Sequence, residues 1–318
     1  MRGLKQKNAD VELIRDVLGG ILSATIVACG PRHALVLLHD GTVLSWGYGA
    51  MGRLGHGDAM CSYADCVLRP VRLAFFATRQ ATVRRVACGL HHTLAVTWEP
   101  LHGSGDEALL TARVFGWGFG DHGRLGSGGG GGACRSPARV LLPLADNAGA
   151  DTEAARGAYP CDIAAGDQHS MCLLTDGSVY VWGDNAFGQL PLGATASMRP
   201  HVLPLQAPLR GVTSIACGSR HSAIAFFDGK MLLCGFGEEG QLGGGPALAA
   251  DTKAQRGGAA RALFVDDSKP EHWAAESFGL GVRHTVGGSV RSNDPNAGAF
   301  LERASWRAKQ RASGVWSL

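Results

Sequence analysis

The chain has 318 residues, 45% of them hydrophobic and 18% charged, with a formal net charge of +3 at pH 7. It can bury a sizeable core, and no stretch approaches the ~20 consecutive apolar residues that a membrane-spanning helix needs. Its 47 glycines would suggest disorder if scattered, but most of the informative ones recur at fixed places in a repeat.

The first residues carry Arg2, Lys5 and Lys7, then Asp10, Glu12 and Asp16. Interleaved acids and the lack of an apolar core segment argue against a secretory signal. Residues 8–18 read as a helix. Residues 1–26 are set apart as an N-terminal segment that could close a blade, 27–300 as a repeat region and 301–318 as a basic tail.

Two strings then alternate along the chain. The first reads VACGPRH at 27–33, VACGLHH at 86–92, IAAGDQH at 163–169 and IACGSRH at 215–221, with a degenerate FGLGVRH at 278–284. The second reads VLSWGYGAMGRLG at 43–55, VFGWGFGDHGRLG at 114–126, VYVWGDNAFGQLP at 179–191 and MLLCGFGEEGQLG at 231–243. Self-similarity at this scale means that one supersecondary unit is reused. The marker histidines His33, His92, His169, His221 and His284 stand 59, 77, 52 and 63 residues apart. A unit of roughly 50 residues suits a four-stranded blade of a β-propeller.

Within each unit the pattern predicts a hairpin. HALVLLHDGTVLSWG reads as two short apolar strands joined at Asp40-Gly41, a dipeptide that favours a two-residue type I′ turn. Asp176-Gly177 and Asp228-Gly229 repeat it. From the marker histidine to Trp46, Trp182 or Cys234 is 13 residues in repeats one, three and four, a constancy that sets the strand register. Trp46, Trp117, Trp182 and Cys234 are therefore expected at equivalent, buried positions. The fold class is all-β: a propeller of about five recognisable blades.

Three local patterns look like chemistry and read better as repeat structure. Cys29, Cys88 and Cys217 share one repeat position, so these and the other cysteines are expected to be small, buried and reduced, in a reducing intracellular compartment. The five marker histidines lack a recurring carboxylate to orient a metal ligand. They are expected to bond backbone or a hydroxyl such as Thr93, Ser170 or Ser222, and no metal is expected. Gly47–Gly52, Gly118–Gly123 and Gly235–Gly240 match G-x-G-x-x-G. They follow a Trp-Gly or Cys-Gly strand end instead of opening a helix, so no nucleotide cofactor is expected.

Taken together, V-A-C-G-x-x-H, D-G-x-V-x-x-W-G and G-x-L-G in this order resemble the repeats of the RCC1 family of β-propellers. The resemblance covers about residues 27–286, in four good copies and one poor one. It implies a ring that usually closes with seven blades, so about five visible units point to an incomplete or irregular propeller. Family members include an exchange factor for a small nuclear GTPase, a plant ultraviolet photoreceptor, large ubiquitin ligases and adaptors. The photoreceptor's tryptophans stand in repeats reading G-W-R-H-T. Here those positions hold Pro31, Leu90, Asp167, Ser219 and Val282, which excludes a sensor of that design. A ubiquitin ligase is disfavoured because no catalytic domain remains outside the repeats.

The individual features are the departures. In repeat two the marker-to-Trp distance is 25 residues instead of 13, so 12 residues are inserted at a hairpin tip around His102, Asp106 and Glu107. Residues 126–160 read as a second insertion. Over residues 302–311 the tail holds Arg303, Arg307, Lys309 and Arg311 against one acid, equal in charge to the whole chain. The propeller is then neutral overall, which argues against nucleic acid binding on its blades. The expected function is a non-catalytic scaffold that binds other proteins through its rims, insert and tail, as a subunit of a larger assembly without cofactor or membrane. The alternative is a guanine-nucleotide exchange factor for a small GTPase, with Asp106 and Glu107 in the part of the wedge.

Overall fold

The computed structural model describes residues 24–60, 66–100, 110–128, 131–142, 158–191, 203–204, 211–227, 231–238, 241–242, 263–265, 273–280 and 285–291. Their strands form four four-stranded antiparallel sheets in sequence order and a two-stranded fifth. Blade 1 is β1 (Ala24–Cys29), β2 (His33–Leu38), β3 (Val43–Tyr48) and β4 (Cys66–Arg72). Blade 2 is β5 (Thr82–Cys88), β6 (His92–Pro100), β7 (Leu110–Phe119) and β8 (Ala133–Arg139). Blade 3 is β9 (Pro160–Ala165), β10 (His169–Leu174), β11 (Val179–Gly183) and β12 (Leu203–Pro204). Blade 4 is β13 (Val212–Cys217), β14 (His221–Phe226), β15 (Met231–Gly235) and β16 (Leu263–Val265). The fifth sheet pairs β17 (Trp273–Leu280) with β18 (Thr285–Arg291). The propeller so described is incomplete.

Strands β1, β5, β9, β13 and β17 touch one another in succession, so each blade's first strand lies toward the common axis. The second strands are buried on both faces, as HSMCLL and HSAIAF show along their whole length. A strand sandwiched between two neighbours reads as a continuous apolar run, without alternation. Fourth strands such as Cys66–Arg72 and Ala133–Arg139 are largely exposed at the outer edge. Outside the two longer strings they share a short one, Pro-Val-Arg-Leu at 70–73 and Pro-Ala-Arg-Val at 137–140. For that reason residues 126–160 are not simply an insertion: β8 and the buried Val140 and Leu142 belong to blade 2 itself.

The core lies between blades. Leu35, Leu37 and Val43 of blade 1 pack on Val86, Phe115 and Trp117 of blade 2. Leu94, Val96 and Val114 pack on Cys172, Tyr180 and Trp182. Met171, Leu173 and Val181 pack on Ile215, Ile224 and Leu232. Each blade buries its faces only against the next, as repeat architectures do. A single helical turn, α1 (Ala74–Thr78), sets Phe76 5.6 Å from Phe115 and 6.0 Å from Trp117.

The hairpin turns differ from the type I′ expectation. Leu38 N–H donates to Thr42 O at 2.8 Å and Gly41 N–H to Leu38 O at 3.0 Å, so the loop has three residues, His39, Asp40 and Gly41. Gly41 has φ +83° while Asp40 is not in the positive-φ region that type I′ requires. This is a type I turn closed by a left-handed glycine. The reason is the aspartate's carboxylate, which accepts from Thr42 N at 2.8 Å and from Thr42 Oγ1 at 3.0 Å. Asp176 does the same for Ser178, with Gly177 at φ +81°. Asp228-Gly229 lies outside the described residues.

Candidate interaction surface

The marker histidines are structural couplers. His33 Nε2 meets Thr93 Oγ1, His92 Nε2 meets Ser170 Oγ and His169 Nε2 meets Ser222 Oγ, each at 2.9 Å and each in the next blade. Thr93 Oγ1 and Ser170 Oγ in turn donate to the main-chain oxygens of Arg53 and Arg124 at 2.9 and 2.8 Å. A hydroxyl has one hydrogen, so the ring nitrogen facing Thr93 or Ser170 must be the donor. His33 and His92 are then neutral, with the proton on Nε2 and a bare, buried Nδ1. Burial pushes His33 and His169 down to about 3, with help for His33 from the nearby Arg53 and His91 and for His169 from His221, and holds His92 well below its ordinary range. His221 is fully buried too. His284 lies outside the described residues. Among those residues no group of three His, Cys, Asp or Glu side chains is placed to hold a metal, and all eight described cysteines are free.

The same carbonyls hold the aromatic positions. Trp117 Nε1 donates to Arg53 O at 2.9 Å, Trp182 Nε1 to Arg124 O at 2.8 Å, and Cys234 Sγ to Gln189 O at 3.3 Å. Trp117, Trp182 and Cys234 are buried, but Trp46, at the same register, is only half-buried. A Cβ on Gly55 would meet Trp117 Nε1 at 2.9 Å. The glycine-rich string is thus a seat for the next blade's tryptophan, with no space left for a dinucleotide. Sequence reasoning passed over Arg53 and Arg124. Both are buried, and their Nη1 groups donate to Leu90 O and Asp167 O of the following blade. The signal was present in the shared G-R-L-G.

Blade 2 carries the described feature that breaks the repeat. In blade 1 pairing runs from His33–Gly47 to Leu37–Val43; in blade 2 it continues past the equivalent Val96–Val114 through Thr97–Arg113, Trp98–Ala112, Glu99–Thr111 and Pro100–Leu110. These four extra rungs take eight of the 12 inserted residues, so most of the insertion is strand. The arm is braced at its base. Glu99, 6% exposed, faces Arg113 at 3.3 Å and Arg79 at 3.7 Å, and Trp98 stacks edge-on against Tyr159 of the next blade at 4.9 Å. Neither Glu99 nor Trp98 stood out as a brace in the sequence, because their partners are distant in the chain. Leu110, Tyr159 and Phe227 are exposed apolar side chains on this hairpin side of the propeller. His102, Asp106 and Glu107 at the tip, and Arg303, Arg307, Lys309 and Arg311 in the tail, lie outside the described residues.

Comparison with known proteins places this architecture. Two family profiles described as Regulator of chromosome condensation (RCC1) repeat match, one at residues 24–53 and 161–189, the other at 40–96, 112–173 and 176–225. The human probable E3 ubiquitin-protein ligase HERC6 is 31% identical over 233 residues, covering 71% of this chain and 19% of that protein. The Ultraviolet-B receptor UVR8 of Arabidopsis thaliana is 34% identical over 219 residues, covering 69% of this chain and 42% of the receptor. The crystal structure of Prp20p from Saccharomyces cerevisiae, described with its binding to Gsp1p and histones, superposes with a TM-score of 0.61 at 21% identity, over 90% of this chain and 60% of that one. At that identity the likeness speaks for the fold. The chain thus spans less than half the length of either curated relative.

Proposed function

The chain belongs to the RCC1 repeat family, and from that footing we propose that it is a non-catalytic propeller that binds other proteins through the rim on which the blade 2 arm stands. The relatives it matches include a probable E3 ubiquitin-protein ligase and an ultraviolet-B receptor, and the yeast propeller that shares its fold is described with its binding to Gsp1p and histones. The observation that carries the reading is the arm itself. A tolerated loop would need no extra strand, yet four added rungs, the buried Glu99 and the Trp98–Tyr159 stack fix the two strands of the arm. Preorganisation of that kind lowers the ordering cost of binding. The tip with His102, Asp106 and Glu107 and the basic tail with Arg303, Arg307, Lys309 and Arg311 are the proposed contacts, within a larger assembly in a reducing compartment.

The arm also favours a second reading, nucleotide exchange on a small GTPase, in which Asp106 and Glu107 at the tip act on the nucleotide site. One experiment separates the two. Residues 101–109 are replaced by a three-residue Asp-Gly turn that keeps every described rung. Loss of co-purifying proteins from the variant, with release of labelled GDP from a panel of small GTPases at the blank rate for both proteins, supports the scaffold. Release by the parent and none by the variant replaces it with exchange. Full partner retention refutes the arm as the contact.

A further inference from the structure

The neutral sum over the propeller conceals a division. Residues 24–142, which make blades 1 and 2, hold eleven arginines and no lysine against seven acids, a balance of +4. Residues 158–242, which run through blade 3 and most of blade 4, hold four basic residues against seven acids, or −3. Part of the basic excess is gathered on the hairpin rim. The link from the outer edge of blade 1 to the first strand of blade 2 crosses that rim. Leu73 N–H donates to Val43 O beside the blade 1 turn, and β5 begins at Thr82, opposite Trp98 of the arm. Arg72 ends β4, Arg79 follows α1, Arg84 and Arg85 lie at a bulge in β5, and Arg113 stands on the other side of β6. The first four are exposed. Among the described residues, two carboxylates pair with this tract: the buried Glu99, between Arg79 and Arg113, and Asp162, against Arg85. The side chains of Arg72 and Arg84 pair with none of the described groups.

We propose that this arginine tract docks an acidic, carboxylate-rich segment of a partner protein, an inference that rests on the arm's rim being the binding surface. Two of its guanidiniums already close on one carboxylate: Arg113 lies 3.3 Å and Arg79 3.7 Å from Glu99. Arg79 is also held over the rings of Phe75 and Phe115, at 5.4 and 5.8 Å from their centres, so its position is set before anything binds. Arginine's planar fork matches a carboxylate and stays charged at every physiological pH. The exposed charge left over is positive, and it faces outward where Arg72 and Arg84 stand. A nucleic acid fits this rim less well. The hairpin tips of blades 1 and 3, on either side of the arm, carry the exposed Asp40 and Asp176. A long phosphate backbone crossing the rim meets those carboxylates, whereas a short acidic segment lying along the tract avoids them.

The test uses the full chain, a fluorescein-labelled oligoglutamate peptide and a single-stranded oligonucleotide of equal charge, with binding followed by anisotropy. The parent should bind the peptide more tightly than the oligonucleotide, and less tightly as salt rises. The double variant Arg72→Glu, Arg84→Glu should weaken the peptide by about tenfold or more, since both attractions become repulsions. Arg220→Glu, at an exposed position on blade 4, should leave it unchanged. The neutral pair Arg72→Gln, Arg84→Gln should fall between parent and reversal, which keeps the test informative if the reversal unfolds. No peptide binding by the parent, tighter binding of the oligonucleotide, equal loss in Arg220→Glu or parental affinity in the neutral pair overturns the proposal. The variant shortened at residues 101–109 keeps the tract and should bind the peptide like the parent; loss there moves the acid site to the arm's tip and overturns the proposal as well. If that variant instead keeps all its co-purifying proteins while peptide binding still depends on Arg72 and Arg84, the reading of the arm fails and the tract stands.

Discussion

Acid should loosen the propeller well before its carboxylates titrate. His33 and His169 are held at about 3 in the fold, against about 6.5 in an unfolded chain. Between those values the unfolded chain binds a proton that the folded one refuses, so their contribution is complete above pH 6.5 and is lost as the pH falls toward 3. At 1.36 kcal/mol per unit, pH 5 costs about 2 kcal/mol for each of these two histidines. His92, shifted the same way by burial and by the neighbouring Arg124 and histidines, adds to it. The sum is a large fraction of the ~5–15 kcal/mol that stabilises a domain. The physical cause is local: a proton on Nδ1 has no acceptor in the junction, because that atom is buried without a partner. Thermal unfolding followed by tryptophan fluorescence at constant ionic strength should show the midpoint falling steadily from pH 7 to pH 5. His169→Gln keeps an N–H for Ser222 but cannot ionise, so its midpoint should fall less steeply. A midpoint independent of pH across this window, or identical slopes for the two proteins, would refute the neutral-histidine coupling.

The junctions also make distinct predictions for their other members. Ser170→Ala removes the oxygen between His92 and Arg124 O and should cost about 1–3 kcal/mol in urea denaturation, the price of a buried unsatisfied group, with Ser170→Thr restoring it because blade 2 uses Thr93 at that place. Trp182→Ala should cost roughly 3–5 kcal/mol as a large-to-small core change; Trp46→Ala should cost clearly less, since Trp46 is only half-buried, and equal losses would show that the two sites are packed alike.

Much of this molecule was readable one repeat at a time. The marker histidine, the Asp-Gly turn and the Trp-Gly strand end lie within 15 residues of one another, and their recurrence identifies the blade because local hydrogen bonding and a strand period of two act over that range. The fourth strands did not stand out. Cys66–Arg72 and Ala133–Arg139 sit at the exposed outer edge, where many side chains satisfy the same backbone pairing, so only a short Pro-x-Arg followed by an apolar residue recurs in them. The turn type was missed for a related reason: Asp-Gly suits both loops, and only the aspartate's bonds to Thr42 decide between them.

The candidate surface divides along the same line. A spacing of 25 residues where 13 is the rule shows in sequence that blade 2 carries something extra. That the extra length is a braced arm follows from Glu99 meeting Arg79 and Arg113, and from Trp98 meeting Tyr159 some 60 positions away. The family, the all-β class and the repeat register were determined by the sequence itself, since each is carried by contacts within one unit. Which carbonyl seats each tryptophan and which hydroxyl takes each histidine were decided only in three dimensions. Those contacts join residues of different repeats, and near-identical repeats do not say in sequence which of them will touch.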